Sequence, residues 1–71
     1  MKELNCLGMR CPLPIIAVGK AMRNTDAGEA FRLLSDDPAT ELDLRAWSRM
    51  TGNQIVVTGV NEFLVTKSKV E

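Results

Sequence analysis

The run Cys11-Pro12-Leu13-Pro14 constrains this chain more than any other stretch. Proline locks φ and lacks an N–H, so inside a helix it costs about 3 kcal/mol, yet the first helical turn accepts it. Pro12 or Pro14 therefore opens a helix, and whatever precedes it is not helical. Ile15, Val18 and Met22 follow at helical spacing, with Ile16 and Gly19 on an adjacent stripe, to about Arg23. Lys20 and Arg23 fall in the last turn, where positive charge suits the helix dipole. Asn24 and Gly28 are the expected pivots of the turn that follows.

The third proline repeats the device. In "SDDPATELDLRAW", Asp37 is a good N-cap and Pro38 suits the first helical position. This second helix runs to about Thr51 and stops at Gly52. It carries Leu44 and Trp47 on one stripe, flanked by Leu42, Ala46 and Met50, so Trp47 reads as core. Residues 2–5 and 30–35 read as strands. "QIVVT" and "FLVTKSKV" are rich in β-branched residues, and the short "GVNE" between them predicts an antiparallel hairpin.

The expected order is βαβαββ in one domain spanning residues 1–71. The fold class is α/β (α+β), a two-layer sandwich with two helices on one face of a four-stranded mixed sheet. Ile15, Val18, Met22, Leu33, Leu44, Trp47, Ile55 and Val57 form the expected core. "FRLL" supports either phase of the second strand.

Nine basic and nine acidic residues balance, which argues against binding a nucleic-acid backbone. The charge is unevenly placed. Residues 1–23 carry four cations against Glu3, and residues 24–43 carry six acids against Arg32. One consequence would be a polar docking face around Cys11 that selects a protein partner. The longest apolar run, "PLPIIAVG", is too short to span a bilayer and contains two prolines. The expectation is a cytoplasmic protein with reduced cysteines, no membrane association, and a monomer that forms transient complexes.

Cys6 and Cys11 are the two thiols, and histidine is absent. Two thiols supply half of a tetrahedral metal site, so no metal is expected. Their spacing is not C-x-x-C, although Cys6 could serve as a redox partner if the two met across the loop. Cys6, ending a strand, reads as a small buried hydrophobe.

Cys11 reads differently. Pro12 biases it toward extended geometry, the shape of an N-cap residue. A thiolate there would face the positive end of the helix beside Arg10, and both would lower its pKa. Pro12 and Pro14 stiffen the loop, and Gly8 supplies its bend. With no histidine as base, acyl transfer is disfavoured. Chemistry at sulfur itself remains, as thiol–disulfide exchange or persulfide transfer.

The same residues carry a resemblance. "LNCLGMRCPLPII" resembles the N-terminal signature of the TusA/SirA sulfur-carrier family, with its Gly-x-x-Cys-Pro-x-Pro core at Gly8, Cys11, Pro12 and Pro14. "DAGEAFRLLSDDPATELDLRAWSRMTGNQI" resembles the family's later segments, including the Asp-Asp-Pro helix opening. Relatives often have Asp at Asn5, Cys at Ser48 and His at Asn53.

The resemblance implies that Cys11 carries a persulfide, with no separate cofactor. A cysteine desulfurase or rhodanese-like donor would load it, and an acceptor protein would receive the sulfur. Such relays serve tRNA thiolation, molybdenum-cofactor supply or sulfur oxidation, and some relatives handle selenium. Arg10 would help hold the anionic sulfur. Two other readings stand beside this one: a Cys6/Cys11 redox switch, and a regulatory binding module that docks through Asp36 and Asp37.

Overall fold

The computed structural model describes residues 2–68. The elements are β1 (Lys2–Asn5), α1 (Leu13–Arg23), β2 (Ala30–Leu34), α2 (Thr40–Thr51), β3 (Gln54–Gly59) and β4 (Glu62–Thr66). This is the expected βαβαββ order, with both helices packed against a four-stranded mixed sheet. The expected last strand ended at residue 70; residues 69–71 lie outside the described residues.

The strand order is β1-β2-β4-β3. β1 and β2 are parallel across the α1 crossover, with Leu4 beside Leu33. The β3–β4 hairpin turns at Val60 and Asn61, the latter in the left-handed region at φ 57°. Its second strand then inserts between β2 and β3, antiparallel to both. That insertion places Phe63 and Val65 beside Leu33 and Phe31 in the two central strands.

The inward phase of β2 is thereby settled. Phe31 and Leu33 are fully buried, and Arg32 lies on the open face between Glu3 and Glu62. The buried core is Cys6, Val18, Met22, Phe31, Leu33, Leu44, Phe63 and Val65. Fully burying side chains of this size stabilises by roughly 1.5–3 kcal/mol each.

Ile15, Trp47 and Ile55 pack against this core while only partly buried. Val57 departs from expectation. It pairs with Phe63 but remains 44% exposed, because β3 is an edge strand.

Both helices lie on the sheet through short stripes. In α1 the stripe is Pro14, Val18 and Met22, one residue every fourth position. In α2 it is Thr40 and Leu44, and the buried Thr40 hydroxyl is satisfied by Ser35 Oγ at 2.7 Å. Gly52 ends α2 in the left-handed region at φ 81°, which glycine enters without steric cost. Lys67 Nζ donates to the carbonyls of Met22 and Thr25, tying the end of β4 to the last turn of α1. Among the described residues, no helix is long and apolar enough to cross a membrane.

Candidate functional site: the Cys11 loop and its groove

The β1–α1 loop leaves the sheet at Cys6, whose N–H donates to Leu34 carbonyl at 2.7 Å. The Cys6 thiol is closed to solvent, since the residue is fully buried, and burial pushes its pKa up. Gly8 bends the loop at φ 83°, as expected of it. Cys11 then lies exposed on the turn before α1, and both thiols are free. The Cys11–Pro12 peptide is cis.

Two aspartates from the β2–α2 loop hold this turn in place across 26 to 28 residues of sequence. Asp36 Oδ1 accepts from the Gly8 N–H and from Arg10 Nη1, each at 3.0 Å. Asp37 Oδ2 accepts from the Cys11 N–H at 2.5 Å, and its Oδ1 accepts from the Ala39 N–H at 3.0 Å. Accepting these bonds favours the charged carboxylates. The Gly8 N–H first, then Arg10, lowers the pKa of Asp36. The Ala39 N–H first, then the Cys11 N–H, lowers that of Asp37.

Asp36 and Asp37, the partner contacts of the regulatory-module reading, are thus engaged by this chain's own loop. Asp37 is not the N-cap of α2 that the sequence suggested, and Pro38 lies before the helix. Asp37 caps a turn over Pro38 and Ala39, and regular α2 begins after that turn, with Ala39 as its N-cap.

The electrostatics of Cys11 reverse the expectation. Pro12, not Cys11, is the N-cap of α1, at φ −97° and ψ 13°, and it offers no side-chain capping bond. The helix end has little N–H to present: Leu13 donates to the Arg10 carbonyl at 2.9 Å and Pro14 has no N–H. Arg10 turns to Asp36 and to the Met9 carbonyl.

What faces the thiol instead is acid. A hydrogen bond to the Asp43 carboxylate is the leading reason that the Cys11 pKa is raised, followed by desolvation and the charges of Asp43 and Asp37. A nearby negative charge opposes formation of a second one.

Cys11 stands at an open, largely apolar groove of about 350 Å³ between α1 and α2. Pro12 and Ile15 line it from one side, and Asp43, Ala46, Trp47 and Met50 from the other. The α2 residues fall at intervals of three and four, which places them on one helix face.

Trp47 therefore does two things, packing against the core and lining the groove. Sequence reasoning assigned it to the core alone and passed over Asp43. The available signal was that periodicity, which sets Asp43 on the same face as Trp47 and Met50. Pro14 is fully buried, so it anchors α1 rather than meeting a partner.

The three positions where relatives often differ are structural here. Asn5 Oδ1 accepts from the Leu7 N–H. Ser48 Oγ donates to the Asn53 carbonyl. The buried Asn53 accepts from the Ser68 N–H and donates to Thr51 Oγ1.

Fold and site together define a class: a two-layer βαβαββ domain that presents one exposed thiol from a braced loop beside an apolar groove. Comparison with known proteins agrees. The family model described as sulfurtransferase TusA matches residues 2–67. The chain belongs to the TusA family.

A protein of Archaeoglobus fulgidus, named for a proposed sulfur-carrier role, is 38% identical over 56 residues, 79% of this chain and 73% of that protein. A protein of Aquifex aeolicus, named in the same way, is 33% identical over 52 residues. That match spans 73% of this chain but only 26% of the Aquifex protein. Among solved structures, a SirA-like protein from Desulfitobacterium hafniense is similar over the full length of both chains, with a TM-score of 0.71 and 26% identity.

Proposed function

We propose that this protein is a sulfur carrier that holds its cargo as a persulfide on Cys11. The observation that carries the reading is the exposed thiol itself, set on a loop that Asp36 and Asp37 brace, in a chain of the TusA family. A donor protein, a cysteine desulfurase or a rhodanese-like transferase, presents a sulfane sulfur. Cys11 sulfur attacks it, a new S–S bond forms, and the donor's own S–S bond breaks. An acceptor protein then removes the terminal sulfur by the same exchange. The cargo is covalent, so this reading needs no separate cofactor.

The structure supports the two physical requirements of a relay. First, the thiol has to be reachable by large partners, and it is exposed at the mouth of an open groove. Second, it has to meet them at small entropic cost, and its loop is already held by three hydrogen bonds to the two aspartates. A Cys6/Cys11 switch has less support, because Cys6 is fully buried. The setting expected for the carrier is the cytoplasm, where both thiols stay reduced.

The test is intact mass after incubation with a cysteine desulfurase and cysteine, and separately with a rhodanese and thiosulfate, without reductant. The wild type should gain one sulfur atom that reductant removes, and Cys11→Ser should gain none. Loading of Cys11→Ser to the wild-type extent would refute the assignment.

A further inference from the structure

We propose that Asp43 is the proton acceptor of the Cys11 thiol, a role that rests on the carrier reading and deepens it. Asp43 and Cys11 line the same groove from opposite elements, one on α2 and the other on the turn before α1. Of the residues that line this groove, Asp43 is the one that carries a carboxylate, and that carboxylate is the foremost influence raising the Cys11 pKa.

The other charged groups around Cys11 do not compete for this task. Asp37, from the β2–α2 loop, is committed to the N–H groups of Cys11 and Ala39. Arg10, on the thiol's own loop, is paired with Asp36. Trp47, Met50, Ala46, Pro12 and Ile15 complete the groove without charge. With no histidine in the chain, Asp43 is the carboxylate placed to take the proton.

The arrangement has opposite consequences in the two states of the carrier. In the free protein, Asp43 keeps the thiol protonated and slow toward solvent-borne electrophiles and oxidants, which react with thiolate. On docking, a partner covers the groove and bulk water no longer serves as base. The proton then needs an acceptor inside the complex.

The step balances without an outside oxidant. Cys11–SH gives its proton to Asp43 as its sulfur attacks the terminal sulfur of the donor persulfide R–S–SH. The R–S bond to that sulfur breaks, and the electron pair leaves with R–S⁻. Asp43 returns the proton to R–S⁻, giving R–SH and Cys11–S–SH. The donor sulfur is reduced as Cys11 sulfur is oxidised.

The experiment reads two rates on Asp43→Asn, which keeps the size of the side chain, and repeats them on Asp43→Ala. Circular dichroism establishes that each variant is folded; the position is only half-buried on the helix surface. Iodoacetamide alkylation against pH, followed by intact mass, reports the free thiol. Single-turnover sulfur loading from saturating persulfidated cysteine desulfurase, or from a persulfidated rhodanese, reports the docked one.

Both variants should alkylate several-fold faster at neutral pH, with the midpoint moved down, yet load at least about tenfold more slowly, a loss at the low end for general-base removal. The opposite signs are the signature, since a merely misplaced loop would not speed alkylation while slowing loading. An alkylation midpoint that stays where it is overturns the contact. Loading that is unchanged or faster overturns the proton-accepting role and leaves Asp43 as a brake only. A wild type that takes sulfur from neither donor overturns the carrier reading itself, a result seen without any variant.

Discussion

Cys6 offers a quantitative test of what the buried thiol does. It is 0% exposed, within a cluster that includes Val18, Leu33 and Phe63. Cys6→Ala removes one heavy atom from that cluster. The lost transfer energy is close to that of a methylene, about 0.8 kcal/mol, and the small cavity brings the loss to roughly 1–2 kcal/mol. Cys6→Ser keeps the volume but buries a hydroxyl among apolar groups. An unsatisfied hydroxyl costs about 1–3 kcal/mol on protein scales, so the serine variant should lose roughly 2–4 kcal/mol.

These losses are large for 71 residues. At about 0.05–0.15 kcal/mol per residue, the whole domain is stable by only roughly 4–11 kcal/mol. Its unfolding entropy is about 150 cal/mol/K, so each kcal/mol moves Tm by about 7 °C. Thermal unfolding followed by circular dichroism should place Cys6→Ala about 7–13 °C below the wild type and Cys6→Ser about 13–27 °C below it. Below its own Tm, Cys6→Ala should load sulfur as the wild type does. A serine variant as stable as the alanine one would refute the sealed, apolar environment. A folded Cys6→Ala that no longer loads would restore Cys6 as a redox partner of Cys11.

Other expectations follow from the same contacts. Asp37→Ala removes the acceptor of both the Cys11 and Ala39 N–H groups, so loading at sub-saturating donor should fall more than loading at saturation; equal losses would place the defect in chemistry rather than in loop order. Asp36 and Asp37 have folded pKa values below their unfolded ones, so the stability they contribute is full above the ordinary aspartate value, about 3.9, and is lost as pH falls through the folded values. Urea midpoints measured from pH 6 to pH 2 should show that loss, and the Asp36→Asn/Asp37→Asn double variant should show a shallower fall. Leu44→Ala, at a fully buried position on α2, should cost about 2–5 kcal/mol; a loss under 1 kcal/mol in chemical denaturation would mean that α2 is not seated on the sheet as described. Gly8→Ala should slow loading, because φ 83° strains any residue with a Cβ, even though open space surrounds the position; an unaffected variant would show that the bend is not needed.

The sequence by itself determined the local architecture. Proline after Cys11 opens the first helix, proline after Asp37 sits in the turn that leads into the second, Gly52 closes the second, and β-branched runs on either side of Val60 and Asn61 make the hairpin. Each of these follows from backbone preferences within a few residues, which is why the order βαβαββ and the buried state of Cys6 were legible. So was the exposure of Cys11, from the stiff loop around it.

Tertiary structure decided everything that depends on segments far apart in the chain. β4 enters between β2 and β3, and only that pairing turns Phe31 and Leu33 inward. The register also leaves Val57 at an edge. Above all it decided the field at the thiol. Read locally, Cys11 has an arginine beside it and a helix start after it, and both argue for a lowered pKa. In the fold, Asp36 takes the arginine, prolines and the Arg10 carbonyl deplete the helix end, and α2 brings Asp43 to the sulfur. Coulombic interaction depends on distance through space, and neighbours along the chain do not set that distance when long-range packing can bring a stronger charge closer.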